Sequence, residues 1–176
     1  MLLPFSTVRR FSFKLPRRRL MKILLDIDGV LVTTPSWRPV ESEADGFMKF
    51  NAFATENLKK LMEETGAEIV LTSSHRISYS EQEWRKIFER RGIYSTSVSK
   101  INQITTIGTL VSRADEIQEW VNSLIGDETY VVLDDDSSIR GLPNSILEKC
   151  VLTSSFKGLD EEATKKALMI LNHTIK

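Results

Sequence analysis

The sequence predicts an α/β fold, three layers built on a parallel sheet with helices on both faces. Three observations predict it. Apolar runs stop abruptly in polar clusters: Lys22-Ile23-Leu24-Leu25 at Asp26, Glu68-Ile69-Val70-Leu71 at Thr72-Ser73, and Tyr130-Val131-Val132-Leu133 at Asp134-Asp135-Asp136. Runs of this length without alternation read as strands buried on both faces. Between them lie amphipathic stretches with helix-capping signals, and strands alternating with helices give a parallel sheet covered on both sides. The acids stand at the carboxyl ends of the runs, where open α/β sheets bind their ligands.

Taken in order, residues 1–20 come first. They carry Arg9, Arg10, Lys14, Arg17, Arg18 and Arg19 and no acid. This segment reads as a basic tail, disordered or not native to the protein; a transit-like peptide is the other reading. Met21 begins the first strand directly, so the folded domain is expected over 21–176. After Asp26-Ile27-Asp28-Gly29-Val30, residues 33–50 hold two prolines and a glycine without periodicity and read as a loop or short flap over the active edge. Trp37 and Phe47 either line a substrate entrance or anchor that loop. Residues 52–65 read as a helix with Phe53, Leu58, Leu61 and Met62 inward and Gly66 as its stop. Strand 68–71 follows. Ser80-Glu81-Gln82-Glu83 is a capping box opening a helix that buries Trp84, Ile87 and Phe88 and ends at Gly92. A short strand is expected near 93–98. Ser112 caps a helix with Ile117, Trp120, Val121 and Leu124 inward and Gly126 as its stop. Strand 130–133, a last strand at 150–153 and a helix at 160–172 opened by Asp160 complete the domain. No repeat or interdomain linker interrupts it.

The chain has 176 residues, 41% hydrophobic and 27% charged, as expected of one soluble globular domain. No apolar stretch approaches the ~20 residues of a membrane helix, so no membrane partner is expected. A single cysteine, Cys150, excludes an internal disulfide and reads as a core thiol. Two histidines and one cysteine cannot build a Cys/His zinc site of the usual spacing. The composition suits a reducing, cytoplasmic setting. Net charge is zero, but with the basic segment set aside the body carries 18 basic against 24 acidic residues. That balance argues against a broad nucleic-acid-binding face. Oligomeric state is not addressed by these features.

The acidic clusters carry the chemistry. In an extended chain Asp26 and Asp28 point to one side, and like charges held that close call for a cation between them. Asp134 or Asp135 would complete the oxygen shell that Mg²⁺ prefers. Thr72, Ser73, Ser74, His75 and Arg76 bring hydroxyls and a guanidinium to the same edge.

Asp26-x-Asp28-Gly29-Val30, the strand ending in Thr72-Ser73 and the strand ending in Asp134-Asp135 together resemble the haloacid dehalogenase (HAD)-like superfamily of phosphohydrolases, over roughly residues 21–172. The run Ile69 to Arg76 also resembles a small capless branch, from bacterial and phage proteins, linked in part to RNA repair. The resemblance implies a Rossmann-like sheet. The 33–50 insert and the chain between the second and last motifs are too short for a large cap domain. It further implies a Mg²⁺-dependent phosphatase acting through an aspartyl-phosphate. Asp26 would be the nucleophile, and Asp28 would protonate the leaving group and then activate water. Mg²⁺ would be held by Asp26, the backbone carbonyl of Asp28, and Asp134 or Asp135. Thr72 or Ser73 would hydrogen-bond a phosphoryl oxygen. Gly29, Ser74 and Arg76 would line the substrate. Such families expect a lysine as third motif, and here the sequence departs, offering Arg113 at a helix start, or Lys100. The phosphorylated substrate is left open: a nucleotide, a nucleic-acid phosphate end or a small metabolite. The alternative reading is a non-catalytic phosphate- or nucleic-acid-binding module, motivated by the absent lysine and the basic N-terminal segment.

Overall fold

A computed structural model describes residues 20–33, 37–104, 112–126 and 128–172. The basic segment 1–19 lies outside the described residues. Five strands, β1 (Met21–Leu25), β2 (Glu68–Leu71), β3 (Val98–Lys100), β4 (Thr129–Asp134) and β5 (Cys150–Leu152), form one sheet. They are ordered β3-β2-β1-β4-β5, and every neighbouring pair is parallel. The strand order reverses at β1, which makes the carboxyl ends of β1 and β4 the switch point of the sheet.

Side chains alternate across this sheet into two cores. Ile23 and Leu25 of β1, Ile69 and Leu71 of β2, and Val131 and Leu133 of β4 face one layer. That layer is built by α1 (Ala52–Thr65), α2 (Glu81–Arg90) and α5 (Glu161–Leu171). Leu24, Val70, Tyr130 and Val132 face the other, made by α3 (Arg113–Asn122) and the short α4 (Asn144–Leu147). Burial on both faces is the reason the strands read as unbroken apolar runs. No helix of the described residues is long and apolar enough to cross a membrane. Nor do the described residues include a cap domain.

The helices start where their side chains can satisfy free backbone N–H groups. Asn51 caps α1, Ser80 and Glu83 form a reciprocal capping box on α2, Ser112 caps α3, and Asp160 caps α5. Gly66, in the left-handed region at φ 63°, ends α1.

Two local expectations are corrected. Phe53 is 83% exposed rather than inward. The buried face of α1 is set by Ala54, Leu58, Leu61 and Met62, and Phe53 sits one position off that stripe. The strand expected near 93–98 begins only at Val98. Ile93 is buried, but its N–H bonds the Phe88 carbonyl at 2.9 Å, so it closes the end of α2 instead of joining the sheet.

Of the two aromatics in the 33–50 loop, Trp37 is 73% exposed and Phe47 is buried. Phe47 packs edge-on against Phe50, Tyr79 and Trp84, so it anchors the loop. Arg91 locks it there. Its guanidinium donates to Asp45 at 2.6 Å and to the carbonyls of Ile87 at 2.9 Å and Met48 at 3.0 Å, and lies 4.6 Å from the centre of the Phe50 ring. The Arg91 hydrogen bond holds the Asp45 carboxyl below its ordinary value. Breaking one partner of such a buried pair strands the other charge. Arg91→Ala should therefore lower stability by about 3 kcal/mol and expose 37–50 to proteolysis. Urea unfolding together with limited trypsin digestion checks this, and an unchanged midpoint would show that the loop holds without the clamp.

Candidate active site

The site forms because the parallel ladder continues past the strand ends. Asp26 donates its N–H to the Leu133 carbonyl at 3.0 Å, and Thr72 donates to the Leu25 carbonyl at 3.0 Å. Thr153 donates its N–H to the Asp134 carbonyl at 2.9 Å. These bonds bring the residues following β1, β2 and β4 to one level at the switch point.

Carboxylate oxygens of Asp26, Asp134 and Asp135 lie within 4.8 Å of one another. Asp26 and Asp134 are buried, and Asp135 is half-buried. The guanidinium of Arg113, at the start of α3, lies between two of them. Its Nη1 is 3.4 Å from Asp26 Oδ1 and 3.5 Å from Asp134 Oδ2. Asp134 Oδ1 accepts from the Asp136 N–H at 2.9 Å, whereas Oδ2 is buried with no hydrogen-bond partner. Thr72 Oγ1 is likewise buried and unpartnered.

Desolvation dominates the electrostatics. Burial raises the pKa of Asp26 against the opposing pull of Arg113. It raises that of Asp134 from 3.8 to about 7, with Asp26 adding to the rise, and it also raises Asp135. One guanidinium facing three carboxylates leaves the cluster short of positive charge. An all-oxygen donor set, in which buried Asp134 Oδ2 accepts no hydrogen bond and has only Arg113 Nη1 nearby at 3.5 Å, fits a hard divalent cation such as Mg²⁺.

Gly29 shapes the floor. Its φ is 68°, and a Cβ there would fall 2.0 Å from Asp135 Oδ2. Only glycine lets that carboxylate lie against the turn. Thr153 Oγ1 fixes the same turn by donating to the Gly29 carbonyl at 2.8 Å.

The remaining expected residues divide. Asp28 is not one of the three clustered acids; its carboxylate meets His75 Nε2 at 2.9 Å, and its charge acts on Asp26 and Asp135. That hydrogen bond raises the His75 pKa, and the His75 ring rests edge-on against Phe47. Ser73 is buried, and its Oγ accepts from the His75 N–H at 3.4 Å. Ser74 is exposed at the start of a 3₁₀ turn over Ser74–Ile77. Lys100 ends edge strand β3, two strands from β1, where its charge acts on Glu83. Arg76, expected to line the substrate, lies elsewhere: it is 1% exposed, and its guanidinium is taken up by Thr72, Ser73, Asn102 and Glu116. A cation that close to the hydroxyl loop looks like a ligand group in sequence, but its length carries it inward. Glu116 and Asn102 were not singled out by sequence reasoning. The available signal is spacing, since Glu116 stands three residues from Arg113 on one helix face.

The Asp134 shift has a sign that can be tested. Without a cation, the native state keeps a proton that the unfolded chain releases near pH 4. The contribution to stability is therefore present below about pH 4 and is lost as pH rises toward about 7. The loss should be on the order of a few kcal/mol, at about 1.4 kcal/mol per unit. Asp134→Asn should flatten this profile and be more stable than wild type at pH 8 in chelator. Added Mg²⁺ should stabilise the wild type there but not the variant. Urea unfolding at pH 5 and pH 8 measures both, and a flat wild-type profile would contradict the charge accounting.

No curated protein and no solved structure matches this chain. A profile of the family described as "HAD domain in Swiss Army Knife RNA repair proteins" matches residues 22–164, a stretch that includes Asp26, Thr72, Arg113 and Asp134. With the greater part of its length matched, the chain belongs to this family of HAD domains.

Proposed function

We propose that this protein is a Mg²⁺-dependent phosphohydrolase that works through an aspartyl-phosphate and acts on a phosphate ester at a nucleotide or nucleic-acid end. The observation that carries the reading is the placement of Arg113 Nη1 between Asp26 and Asp134 at the sheet's switch point. A phosphate ester repels a nucleophile, so its site must neutralise charge and align the attack. Asp26, Asp134 and Asp135 would hold the cation, which when bound supplies charge neutralisation at the phosphoryl oxygens.

The protein's own groups do the rest. An Asp26 carboxylate oxygen attacks phosphorus as the ester P–O bond breaks. Asp28, held at 2.9 Å by His75, gives a proton to the leaving oxygen. It then takes one from the water that attacks phosphorus and releases phosphate and Asp26. Arg113 faces the developing charge, and the unpartnered Thr72 hydroxyl is available to a phosphoryl oxygen. The alternative, a non-catalytic phosphate- or nucleic-acid-binding module, rests on the basic N-terminal segment and on the missing lysine. Arg113 puts a fixed cation beside the acids and removes much of that motive.

A nucleic-acid end as substrate is supported by the RNA-repair setting of the family and by the absence of a cap among the described residues. Phe53 and Phe156, both largely exposed, add surfaces on which bases could stack. Both lie in chain segments that approach the Gly29–Thr33 turn through Ala54 and Gly158. Phe53 adjoins Ala54, and Phe156 lies in the turn before Gly158. A Cβ on Gly158 would lie 2.5 Å from the Val30 carbonyl and 3.4 Å from Ala54 Cβ.

Hydrolysis of p-nitrophenyl phosphate with Mg²⁺ and with chelator tests the reaction. Asp26→Asn should abolish turnover and keep the fold, and chelation should stop it. Turnover within about tenfold of wild type in that variant, or hydrolysis without metal, would overturn the mechanism. Arg113→Ala should raise the barrier by about 2–4 kcal/mol, and Arg113→Lys should recover part of it, because a point charge suffices. An unchanged kcat/KM in Arg113→Ala would make Arg113 a bystander.

A further inference from the structure

We infer that Arg76 and Glu116 form a buried positioning pair that sets Arg113 against Asp26 and Asp134 and holds the Thr72–Ser73 loop at the same edge. The kinetic part of this inference rests on the phosphohydrolase reading; the geometric part does not.

The pair is sealed, with side chains 1% and 3% exposed. Arg76 Nη1 donates to the carbonyls of Thr72 at 2.7 Å and Ser73 at 3.0 Å. Its Nη2 donates to Glu116 Oε1 at 2.5 Å and to Asn102 Oδ1 at 3.2 Å. Asn102 closes the ring by donating from Nδ2 to the same Glu116 oxygen at 2.8 Å. One guanidinium thus ties three pieces of chain: the exit of β2, the segment after β3 and the first turn of α3. The first and last carry groups of the active site. Thr72 supplies the unpartnered hydroxyl, and Arg113 stands three residues before Glu116 on the same helix face.

Two considerations separate this arrangement from ordinary core packing. Burying two charges is costly, and a well-packed apolar pair in the same place is often as stable or more so. Stability alone therefore does not account for an ion pair here. The tolerance at the site is also small. Arg113 reaches two carboxylates at 3.4 and 3.5 Å, and misplacing such a group by about 1 Å can cost about 100-fold in rate. Glu116 has a second effect. Arg76 lies close enough to feel the charges of Arg113 and Asp26. By neutralising Arg76, Glu116 leaves Arg113 as the cation directed at the acids.

Two variants test the pair, Glu116→Gln and the apolar double variant Arg76→Met with Glu116→Leu. Three measurements are made on each: melting temperature, kcat and KM on p-nitrophenyl phosphate with saturating Mg²⁺, and the order parameter of the Arg113 Nε–Hε group by NMR, assigned with Arg113→Lys. Glu116→Gln should lower kcat by about 10- to 100-fold, as small misplacements do, with KM changed less than about threefold and Arg113 newly mobile. The double variant should melt at or above the wild-type temperature yet keep the low kcat and the mobile Arg113. Recovery of wild-type kcat in the double variant would overturn the inference, as would an Arg113 that stays ordered in Glu116→Gln. If the double variant does not fold, Glu116→Gln decides alone. If the wild type hydrolyses nothing, the phosphohydrolase reading falls, and Arg113 order still decides whether the pair positions it.

Discussion

Like charge is concentrated where the sheet reverses, and much of the surrounding structure answers that constraint. Three carboxylates share a space in which their oxygens lie within 4.8 Å, and two of them are buried. A chain left with that arrangement would protonate or open. Instead, Arg113 stands between Asp26 and Asp134, the Asp136 N–H satisfies one oxygen of Asp134, and Gly29 gives Asp135 room to lie against the backbone. The compensation is partial. Asp134 Oδ2, which accepts no hydrogen bond, and the raised pKa of the buried acids mark a site built for more positive charge than Arg113 supplies.

Much of this was legible in sequence for a physical reason. Strands buried on two faces must be apolar throughout, so β1, β2 and β4 stand out as runs, and a switch point collects whatever follows them. Capping residues are equally direct, because Ser80, Ser112 and Asp160 each satisfy backbone donors within a few residues. What escaped is what depends on distant partners. Ile93 is as apolar as a strand residue, but its place against α2 is fixed by a turn. Phe53 lies one position off a helical stripe whose phase Ala54 sets. Arg76 sits among site residues in sequence, yet its partner Glu116 comes from 40 residues further along the chain. No local pattern says whether an arginine beside a hydroxyl loop faces a ligand or a buried acid.

The acids also differ in what holds them. Asp26, Asp134 and Asp135 belong to the sheet end, whereas Asp28 is paired with His75, whose ring leans on Phe47. Phe47 belongs to the loop clamped by Arg91. Two supports therefore meet at one edge, a rigid one from the ladder and a peripheral one from the loop. The second links the 37–50 segment to the site through Phe47 and His75.

The strand order has a consequence for how the chain comes to be assembled. β1 lies between β2 and β4, and Met21 through Leu25 pair with Thr129 through Leu133. During synthesis the first half of the chain can pair β1 with β2 and later β3, but the other edge of β1 stays open until β4 emerges. Until then Asp26 has no Asp134 beside it, and an apolar central strand is exposed along one side. Closing that edge is a long-range parallel pairing, which is intrinsically slow. The nascent chain therefore passes through an interval in which an open apolar strand edge and the unfinished acidic cluster are the same strand.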